Sequence, residues 1–441
     1  MAVVQFNGRA GQGREPAADK AKIVAALDIG STKISCVIAK VVPAKHKLPG
    51  GETQSLLKVM GVGHQASRGV RAGAVIDVDE AERVVRVAVD AAERMAQTTI
   101  SEVYVAVSGG RPMTHSYAAS VRTRNGEVGY GDIDAVIGEA AAQIEPGRRT
   151  ILHLTPVQFH LDGVRGIKAP TGMFGEMLGA DLNVVTVDQP AIKNLALVVE
   201  RCHLTLADTA ISPYAAAKSV LAEDEMRLGV TLIDLGGATT GISVFQDGNL
   251  VFADVAPIGG HHVTNDIARG LSTTVAHAER MKTLWGSALA SVLDEREMVA
   301  VPALGERGVD TVHKVPKSML TGIIRPRLEE VFEMVRARLN KAGHDQPGAK
   351  RVVLTGGGSQ LTGIREMAGP LLDAQVRIGA PHQIAGLPEV ARSPGFAVVT
   401  GMLLYALRPD RHYAIPRTLQ GNTVEGGGYM RRVGRWIAES F

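Results

Sequence analysis

The sequence predicts an α/β protein with two similar lobes that face each other. Residues 23–39 and 230–245 follow one pattern: an apolar strand, an aspartate, a turn of small residues and a second apolar strand. A third segment, residues 351–364, runs from an apolar strand into three consecutive glycines. The two similar segments lie roughly 200 residues apart, which is too far for a stacked repeat array and suits two similar domains. A chain of 441 residues also exceeds a single hydrophobic core.

Residues 230–245 (VTLIDLGGATTGISVF) carry the clearest of these patterns. Asp234 stands near the end of an apolar strand, and two glycines and two threonines follow it. Glycines let a phosphate approach backbone N–H groups, threonine hydroxyls add donors, and a strand-end aspartate can hold a hydrated Mg²⁺. A tight hairpin without any ligand explains the same residues, so the repetition of the pattern is what favours phosphate binding. The turn residues are Gly236, Gly237, Ala238, Thr239 and Thr240.

Residues 23–39 (IVAALDIGSTKISCVIA) repeat this order with Asp28 near the strand end. Two such turns could grip a polyphosphate from both sides. In residues 351–364 (RVVLTGGGSQLTGI), the glycines admit a flat ring or a sugar against bare backbone, and the helix start that follows favours negative charge. The residues concerned are Gly30, Ser31, Thr32 and Lys33 in the first turn, and Gly356, Gly357, Gly358 and Ser359 in the third segment.

Composition limits the class of protein. A net charge of +3 is too small to predict a general nucleic-acid surface, and 45% hydrophobic residues are ordinary for a soluble globular protein. The two cysteines, Cys36 and Cys202, have no partner at metal-binding spacing, so we expect reduced thiols in the cytosol. No run of 18 apolar residues predicts a membrane span, and residues 1–22 lack the apolar centre of a signal peptide.

Between the two turns, residues 76–167 are predicted to form a small inserted α+β unit. Helical periodicity covers residues 77–95 and 132–143, and strands are expected at 103–107 and 151–161. The sequence Ser108-Gly109-Gly110 is interpreted as a plain turn because no aspartate ends the strand before it.

Two further pairs of residues lie in segments predicted to be helical. Adjacent side chains such as His261 and His262 diverge on a helix, and no third ligand is evident, so a metal site is disfavoured. Glu279 and Lys282 lie three apart on one helical face, where they could form a surface ion pair.

The C-terminal residues predict a membrane-binding segment. Residues 408–428 are polar, contain prolines and end in three glycines, as expected of a flexible linker. In residues 429–441 one helical face is apolar and the opposite face is basic, which suits an anionic bilayer. Docking on its own domain and docking in a partner groove are the alternatives. The apolar residues are Tyr429, Met430, Val433, Trp436, Ile437 and Phe441, and the basic ones are Arg431, Arg432 and Arg435.

The three glycine-rich segments resemble a known set of motifs. Asp28-Ile29-Gly30-Ser31-Thr32, Asp234-Leu235-Gly236-Gly237-Ala238-Thr239 and Leu354-Thr355-Gly356-Gly357-Gly358 resemble the phosphate-1, phosphate-2 and adenosine motifs of the actin, sugar-kinase and heat-shock-chaperone ATPase superfamily. Within it, the chain resembles the FtsA family of bacterial division proteins, from about residue 23 to residue 407 and again in the last dozen residues.

The resemblance implies an actin-like two-lobed fold of duplicated ribonuclease-H-like domains with an inserted α+β subdomain and a C-terminal amphipathic helix. The expected division is a disordered tail at 1–22, a first lobe at 23–75, 168–208 and 396–407, the inserted subdomain at 76–167, a second lobe core at 209–258 and 336–395, its outer subdomain at 259–335, a linker at 408–428 and the membrane helix at 429–441.

The resemblance also implies the cofactors ATP and Mg²⁺. Asp28 and Asp234 would hold hydrated Mg²⁺, the residues of the two turns would bind phosphates, and the glycine triplet with Glu279 and Lys282 would hold the nucleoside. Many hydrolases of the superfamily place a glutamate where this chain has Ser212, before Pro213. Serine is a poor base at neutral pH, so slow or no ATP hydrolysis is expected.

The implied function is a filament-forming adaptor at the division septum. It would bind the C-terminal tail of FtsZ in the outer part of the second lobe, where Arg325 and Arg327 could pair with carboxylates. It would recruit later division proteins through the inserted subdomain and lie on the cytoplasmic face of the inner membrane. The alternatives are an FtsA-like pilus assembly ATPase and a small-molecule kinase of the same superfamily.

Overall fold

The computed structural model describes residues 22–47, 53–145, 147–303, 312–344 and 350–407. The strands are β1 (Ile23–Ile29), β2 (Lys33–Lys47), β3 (Thr53–Ala66), β4 (Val70–Arg71), β5 (Ala74–Val75), β6 (Glu102–Val107), β7 (Met113–Arg122), β8 (Arg149–Leu161), β9 (Val164–Ile167), β10 (Met177–Asp188), β11 (Thr205–Ile211), β12 (Val230–Leu235), β13 (Thr240–Gln246), β14 (Asn249–Ala256), β15 (Met298–Pro302), β16 (Val312–Pro316), β17 (Lys350–Thr355) and β18 (Ala374–Ile378). The helices are α1 (Val78–Ala96), α2 (Tyr130–Ala142), α3 (Gln189–Arg201), α4 (Ser212–Val220), α5 (Glu223–Leu228), α6 (Gly260–Gly270), α7 (Val275–Trp285), α8 (Lys317–Lys341), α9 (Ile364–Leu372) and α10 (Ala397–Leu407).

Two five-stranded sheets with the same local topology form the two lobes. The first has the order β11-β6-β1-β2-β3 and the second the order β14-β13-β12-β17-β18. In each, one central strand pairs antiparallel with the next strand of its hairpin and parallel with a strand from later in the chain. Asp28 and Asp234 are both the penultimate residue of that central strand. The predicted duplication is therefore confirmed at the level of strand pairing.

Buried helices join the two sheets. Helix α10 packs against α4, β1, β2 and β6, while α4 also contacts β12, β13 and β14 of the second lobe. The two helices approach so closely that a side-chain carbon added to Gly401 would lie 1.7 Å from the carbonyl oxygen of Ala215. Small residues therefore allow a central helix pair to contact both lobes.

A third sheet, of order β7-β10-β8-β9, lies between β6 and α3 in the chain. Helix α2 packs on this sheet, which has a separate hydrophobic core that includes Val136, Leu154 and Leu182. The third sheet differs from the predicted inserted unit at residues 76–167. Helix α1 and strand β6 fall inside that range but pack with the first sheet. Strand β10 falls outside it but pairs with β7 and β8. Local periodicity gives the type of an element, but long-range pairing decides which sheet it joins.

The third sheet contacts the second lobe along β14. The Oγ1 of Thr114 donates to the carbonyl oxygen of Ala253 at 2.8 Å and accepts from the N–H of Ala253 at 3.0 Å. The amides of Asn183 and Asn249 donate across the same boundary, to the carbonyl oxygens of Leu250 and Val157. The third sheet is thus attached to the second lobe by hydrogen bonds, and it is connected to the first lobe through the polypeptide backbone that follows β6.

Helices α6 to α9 and the hairpin β15–β16 complete the second lobe. Helix α8 continues through Pro326. No helix in the described ranges is long and apolar enough to cross a membrane. The predicted linker at 408–428 and the amphipathic segment at 429–441 lie outside the described residues, as does nearly all of the predicted tail at 1–22.

Candidate functional site

A cavity of about 620 Å³ lies where the hairpin turns of the two lobes meet. The turns after β1 and β12, the glycines after β17, and residues of α6 and α7 line it. Most of the predicted site residues are brought together here: Asp28, Gly30, Ser31, Thr32, Lys33, Asp234, Gly236, Gly237, Ala238, Thr239, Glu279, Lys282, Gly356, Gly357 and Gly358.

The two hairpin turns have the same backbone geometry. The N–H of Gly30 donates to the carbonyl oxygen of Lys33 at 3.1 Å, and the N–H of Gly236 donates to that of Thr239 at 2.9 Å. A side-chain carbon on either glycine would lie 2.7 Å from the same carbonyl oxygen. Each turn therefore requires glycine at this position, and each leaves bare backbone towards the cavity.

The start of α6 packs on the second turn. The N–H groups of Gly260 and His261 donate to the carbonyl oxygens of Gly236 and Gly237, at 3.0 and 2.6 Å. The first N–H groups of this helix are therefore used to hold the turn in place. In the first turn, the Oγ of Ser31 accepts from the N–H of Gly73 at 3.0 Å.

Asp234 is buried and Asp28 is partly buried, and the charge of Asp28 acts on Asp234. Burial raises the pKa of Asp28 to about 6, against the opposing effect of the Lys33 charge. Burial, followed by the charge of Asp28, raises the pKa of Asp234 to about 7. Among the described residues, neither carboxylate has a hydrogen bond or ion pair within the usual distances. Desolvated carboxylates that have no partner among the described residues are costly, and a bound cation would offset that cost.

Lys33 is a cation whose charge acts on both aspartates. Its Nζ donates to the carbonyl oxygen of Gly395 at 2.7 Å and lies 3.3 Å from the centre of the Phe396 ring. Burial lowers its pKa to about 8, while Asp28 and Asp234 act in the opposite direction.

Glu279 and Lys282 form an ordered network on the second-lobe side. The Nζ of Lys282 donates to the Oε2 of Glu279 at 2.7 Å, the Oγ1 of Thr264 at 2.9 Å and the carbonyl oxygen of Gly260 at 3.2 Å. Burial acts to raise the pKa of Glu279, but hydrogen bonds from Lys282 and Thr264 outweigh it and leave that pKa lowered. The pair is thus part of the cavity wall as well as an ion pair.

The glycine triplet lies directly against Asp234. Gly356 has a φ of +83°, and a side-chain carbon there would lie 2.3 Å from the Oδ1 of Asp234. Gly357 has open space around it. Only glycine allows this loop to reach the aspartate and still present bare backbone to the cavity.

Two residues predicted to bind the ligand use their hydroxyl groups within the protein. Thr240 is fully buried and its hydroxyl donates to the carbonyl oxygen of Ile258 at 2.7 Å. Ser359 is buried and donates to the carbonyl oxygen of Gly356 at 2.8 Å. Neither side chain lines the cavity, because each satisfies a nearby backbone group.

Ser212 and the two arginines lie away from the cavity as well. Ser212 is buried at the start of α4 and does not line the cavity. Arg325 pairs with Glu329 at 2.9 Å, and Arg327 pairs with Asp266 at 2.5 Å and also with Glu330. An acidic ligand would have to compete with these intramolecular carboxylates.

Sequence reasoning missed Ser108, which lines the cavity. Strand β6 runs parallel to β1, with Ala106 opposite Asp28, just as Thr355 of β17 lies opposite Asp234. The turn after β6 is therefore the first-lobe counterpart of the glycine triplet. The sequence Ser108-Gly109-Gly110 resembles the other glycine turns, but no aspartate ends the strand before it, so it was interpreted as a plain turn.

Residues 393–395 and His261 were missed too. Ser393, Pro394 and Gly395 line the cavity just before α10, and His261 lines it at the start of α6. Among the described residues, no group of three His, Cys, Asp or Glu side chains could hold a metal. The cavity thus combines bare backbone and an ammonium group, which suit a polyanion, with two carboxylates, which suit a hydrated cation.

The sequence and fold are similar to those of known proteins. The model of the family described as cell division protein FtsA matches residues 231–401, and that of the SHS2 domain inserted in FtsA matches residues 109–186. Cell division protein FtsA of Rhizobium meliloti (strain 1021) is 44% identical over 423 residues, covering 96% of each chain. That of Escherichia coli (strain K12) is 31% identical over 434 residues, covering 95% of this chain and 98% of the relative.

Two solved structures share the fold. The PilM-PilN type IV pilus biogenesis complex aligns with a TM-score of 0.60 at 17% identity, covering 88% of this chain and 99% of that one. MreB5 of Spiroplasma citri bound to ADP aligns with a TM-score of 0.50 at 14% identity, covering 87% and 96%. The predicted actin-like fold with an inserted subdomain is confirmed.

Proposed function

The chain belongs to the FtsA family of cell division proteins, and from that premise we propose that it is an ATP-binding, filament-forming adaptor that ties FtsZ filaments to the membrane. Proteins with this actin-like ATPase fold bind nucleotide between their lobes. The observation that carries the proposal is the pair of hairpin turns with one geometry, which face a shared cavity from opposite lobes.

The residues of the cavity fit ATP with Mg²⁺. The bare backbone of the two turns, together with Lys33, would bind the phosphates. Asp28 and Asp234 would hold Mg²⁺ through water, which would offset the cost of desolvating two carboxylates that have no partner in the described part of the chain. The glycine triplet, Glu279 and Lys282 would hold the nucleoside. When bound, the cation would neutralise phosphate charge between the lobes.

Calorimetry with ATP tests this site. We expect binding that is strong with Mg²⁺ and weak without it, and the Mg²⁺ dependence should disappear when Asp28 and Asp234 are both replaced by Asn. Gly138→Ala lies in α2, which packs on the third sheet, and serves as the control. It should bind ATP like the wild type, with the same Mg²⁺ dependence. An unchanged Mg²⁺ dependence in the Asp28→Asn, Asp234→Asn variant would remove the aspartates from the proposal.

Slow hydrolysis, or none, is proposed as well. Among the described residues, the carboxylates that line the cavity are Asp28, Asp234 and Glu279. Position 212, where many related hydrolases carry a glutamate, is a serine in this chain. Without a carboxylate at that position, the attacking water lacks its usual orienting group. Phosphate release from bound ATP should be slow compared with nucleotide exchange, and rapid multiple turnover would contradict this.

Membrane attachment is proposed to depend on residues 429–441 and on polymerisation. Burial of one large apolar side chain contributes about 1.5–3 kcal/mol, while ordering each residue costs about 1–2 kcal/mol. One short helix should therefore bind lipid weakly, and a filament carrying many of them should bind well. We propose that the filament lies on the cytoplasmic face of the inner membrane at the septum.

Pelleting with vesicles that contain anionic lipid tests the attachment. A chain ending at Gly428 should stay in the supernatant with and without ATP. A variant that cannot polymerise but keeps the tail should pellet much less than the wild type. If that variant pellets as well as the wild type, polymerisation is not needed for attachment.

FtsZ is proposed to dock through its C-terminal tail on the outer part of the second lobe. Arg325 is the more accessible of the two candidate arginines, since its side chain is 54% exposed and that of Arg327 is 26% exposed. A charge-reversed Arg325→Glu should weaken binding of an FtsZ tail peptide in fluorescence anisotropy, whereas Arg83→Glu on α1 should not. Lack of binding by the wild type would favour a pilus assembly role, and phosphorylation of a small molecule would favour a kinase.

A further inference from the structure

Lys33 is held by two consecutive residues from the far end of the chain. Its Nζ donates to the carbonyl oxygen of Gly395 at 2.7 Å and lies 3.3 Å from the centre of the Phe396 ring. Gly395 and Phe396 belong to the one-turn 3₁₀ helix Pro394–Phe396 that precedes α10. Both contacts place the ammonium group at the cavity wall that this segment shares with the first turn.

The Phe396 ring is itself fixed. Phe396 is 5% exposed and belongs to a hydrophobic core that includes residues of both lobes. His64 of β3 packs against it edge-on, with ring centres 5.7 Å apart and planes at 90°. The ring therefore presents an aromatic face to Lys33 from a rigid support, and an ammonium group over such a face is stabilised.

This arrangement leaves N–H donors of the Lys33 ammonium group available for a ligand. An ammonium group has three N–H donors, and within the described residues only Gly395 accepts one of them. No carboxylate of the described chain forms an ion pair with Lys33, although Asp28 and Asp234 influence its pKa. A partly buried cation that is held without a carboxylate stays available to an incoming anion.

The same short segment contacts the second lobe. The N–H of Gly356 donates to the carbonyl oxygen of Pro394 at 3.3 Å. A side-chain carbon added to Gly395 would lie 3.7 Å from the Nζ of Lys33 and 3.8 Å from the Cα of Gly357. Residues 394–396 thus lie between the lysine of the first turn and the glycine triplet of the opposite lobe.

We propose that Phe396 is a positioning residue for nucleotide binding: with the carbonyl of Gly395, it holds the Lys33 ammonium group where it meets the phosphates of the ligand. This inference rests on the proposed nucleotide site. Holding the cation before the ligand arrives reduces the ordering that binding would otherwise require. Phe396 acts only through Lys33, so its effect should depend on the phosphates and should vanish when the lysine is absent.

A double-mutant cycle tests the coupling. Phe396→Leu keeps an apolar side chain but removes the ring, Phe396→Tyr keeps the ring, and Lys33→Met removes the charge. We expect Phe396→Leu to weaken ATP binding about tenfold in calorimetry, with adenosine binding unchanged and Phe396→Tyr close to the wild type. In the Lys33→Met background, Phe396→Leu should have no further effect. Equal losses for ATP and adenosine, or additive losses, would overturn the proposal.

Chemical labelling of Lys33 without nucleotide gives a second readout. An amine-reactive reagent followed by peptide mass spectrometry should modify Lys33 severalfold faster in Phe396→Leu than in the wild type, with Lys58 as the internal standard. If leucine underfills the core and lowers the melting temperature, Phe396→Met replaces it. An unchanged labelling rate would refute the positioning role even if ATP binds, whereas failure of the wild type to bind ATP would instead refute the nucleotide site.

Discussion

The side chain of Thr32 occupies the space that any side chain at position 237 would need. A carbon added to Gly237 would lie 2.2 Å from the Cγ2 of Thr32 and 2.6 Å from its Oγ1. These two residues belong to the turns of opposite lobes, so the two lobes are in contact at the cavity itself. A ligand bound there would be gripped by both turns at once.

Replacing Gly237 by Ala should therefore damage both stability and binding. Forcing a methyl group into a filled space costs about 1–3 kcal/mol, and the melting temperature should fall accordingly. Calorimetric unfolding of Gly237→Ala checks this, and the added variant Thr32→Ala should restore most of the lost melting temperature.

Gly138→Ala is the control for that experiment. A side-chain carbon at Gly138 has nothing within 4 Å, and the residue lies inside α2. Alanine there should raise stability by up to about 1 kcal/mol because it favours the helix. If both alanine variants lower the melting temperature equally, the contact between the turns is not the cause.

Lys282→Met should weaken nucleoside binding. The substitution removes three hydrogen bonds and leaves the carboxylate of Glu279 with only Thr264 as a hydrogen-bond partner among the described residues. A loss of about 1–3 kcal/mol in stability is expected, together with lower affinity for adenosine. Lys314→Met on the exposed strand β16 is the matched control and should leave adenosine affinity unchanged. Equal adenosine affinity in wild type and Lys282→Met would contradict the assignment.

Thr114→Val should loosen the third sheet from the second lobe. Valine keeps the shape of threonine but cannot exchange hydrogen bonds with Ala253, at a cost of about 1–3 kcal/mol. Hydrogen exchange at the amide of Ala253 should become faster. Ser116→Val, at an exposed position of the same strand, serves as the control and should leave that amide protected. Slow exchange in Thr114→Val would show that the contact does not hold the two units together.

The acid stability of the protein should depend on Glu225. Hydrogen bonds from Arg377, at 2.7 and 2.6 Å, lower the pKa of Glu225 from its ordinary value of 4.5. The folded state therefore binds fewer protons than the unfolded chain, so this contribution is present above pH 4.5 and is lost as the pH falls through the lowered pKa. Glu225→Gln should unfold at lower temperature near pH 7. Its melting temperature should also fall less steeply than that of the wild type as the pH is lowered below 4.5. If the melting temperatures of the two proteins fall equally steeply with decreasing pH, this prediction is contradicted.

Much of the cavity could be predicted from the sequence because its parts are local. The turns around Gly30 and Gly236 and the loop at Gly356 require glycine for reasons of backbone geometry within a few residues. Such requirements leave a pattern in the sequence wherever they occur. The helix periodicity of α1 and α3 is local in the same way.

Several differences between prediction and structure came from contacts between residues that are distant in the chain. Ser108 was dismissed because its turn has no aspartate of its own, although pairing with β1 supplies Asp28 as the neighbour. Thr240 looked like a phosphate ligand, but a partner 18 residues away takes its hydroxyl. The predicted boundaries of the inserted unit differ from the sheets for the same reason, since β10 joins two strands that precede it by many residues.

The amino-acid sequence by itself determined that two glycine turns with strand-end aspartates recur in one chain, and it therefore predicted two similar lobes with an actin-like fold. Only the tertiary structure decided which polar groups face the cavity and which are used internally, and that residues 394–396 hold Lys33 from 362 positions away. The physical reason is that backbone strain is fixed by neighbours in sequence, whereas hydrogen-bond partners and charge burial are fixed by neighbours in space.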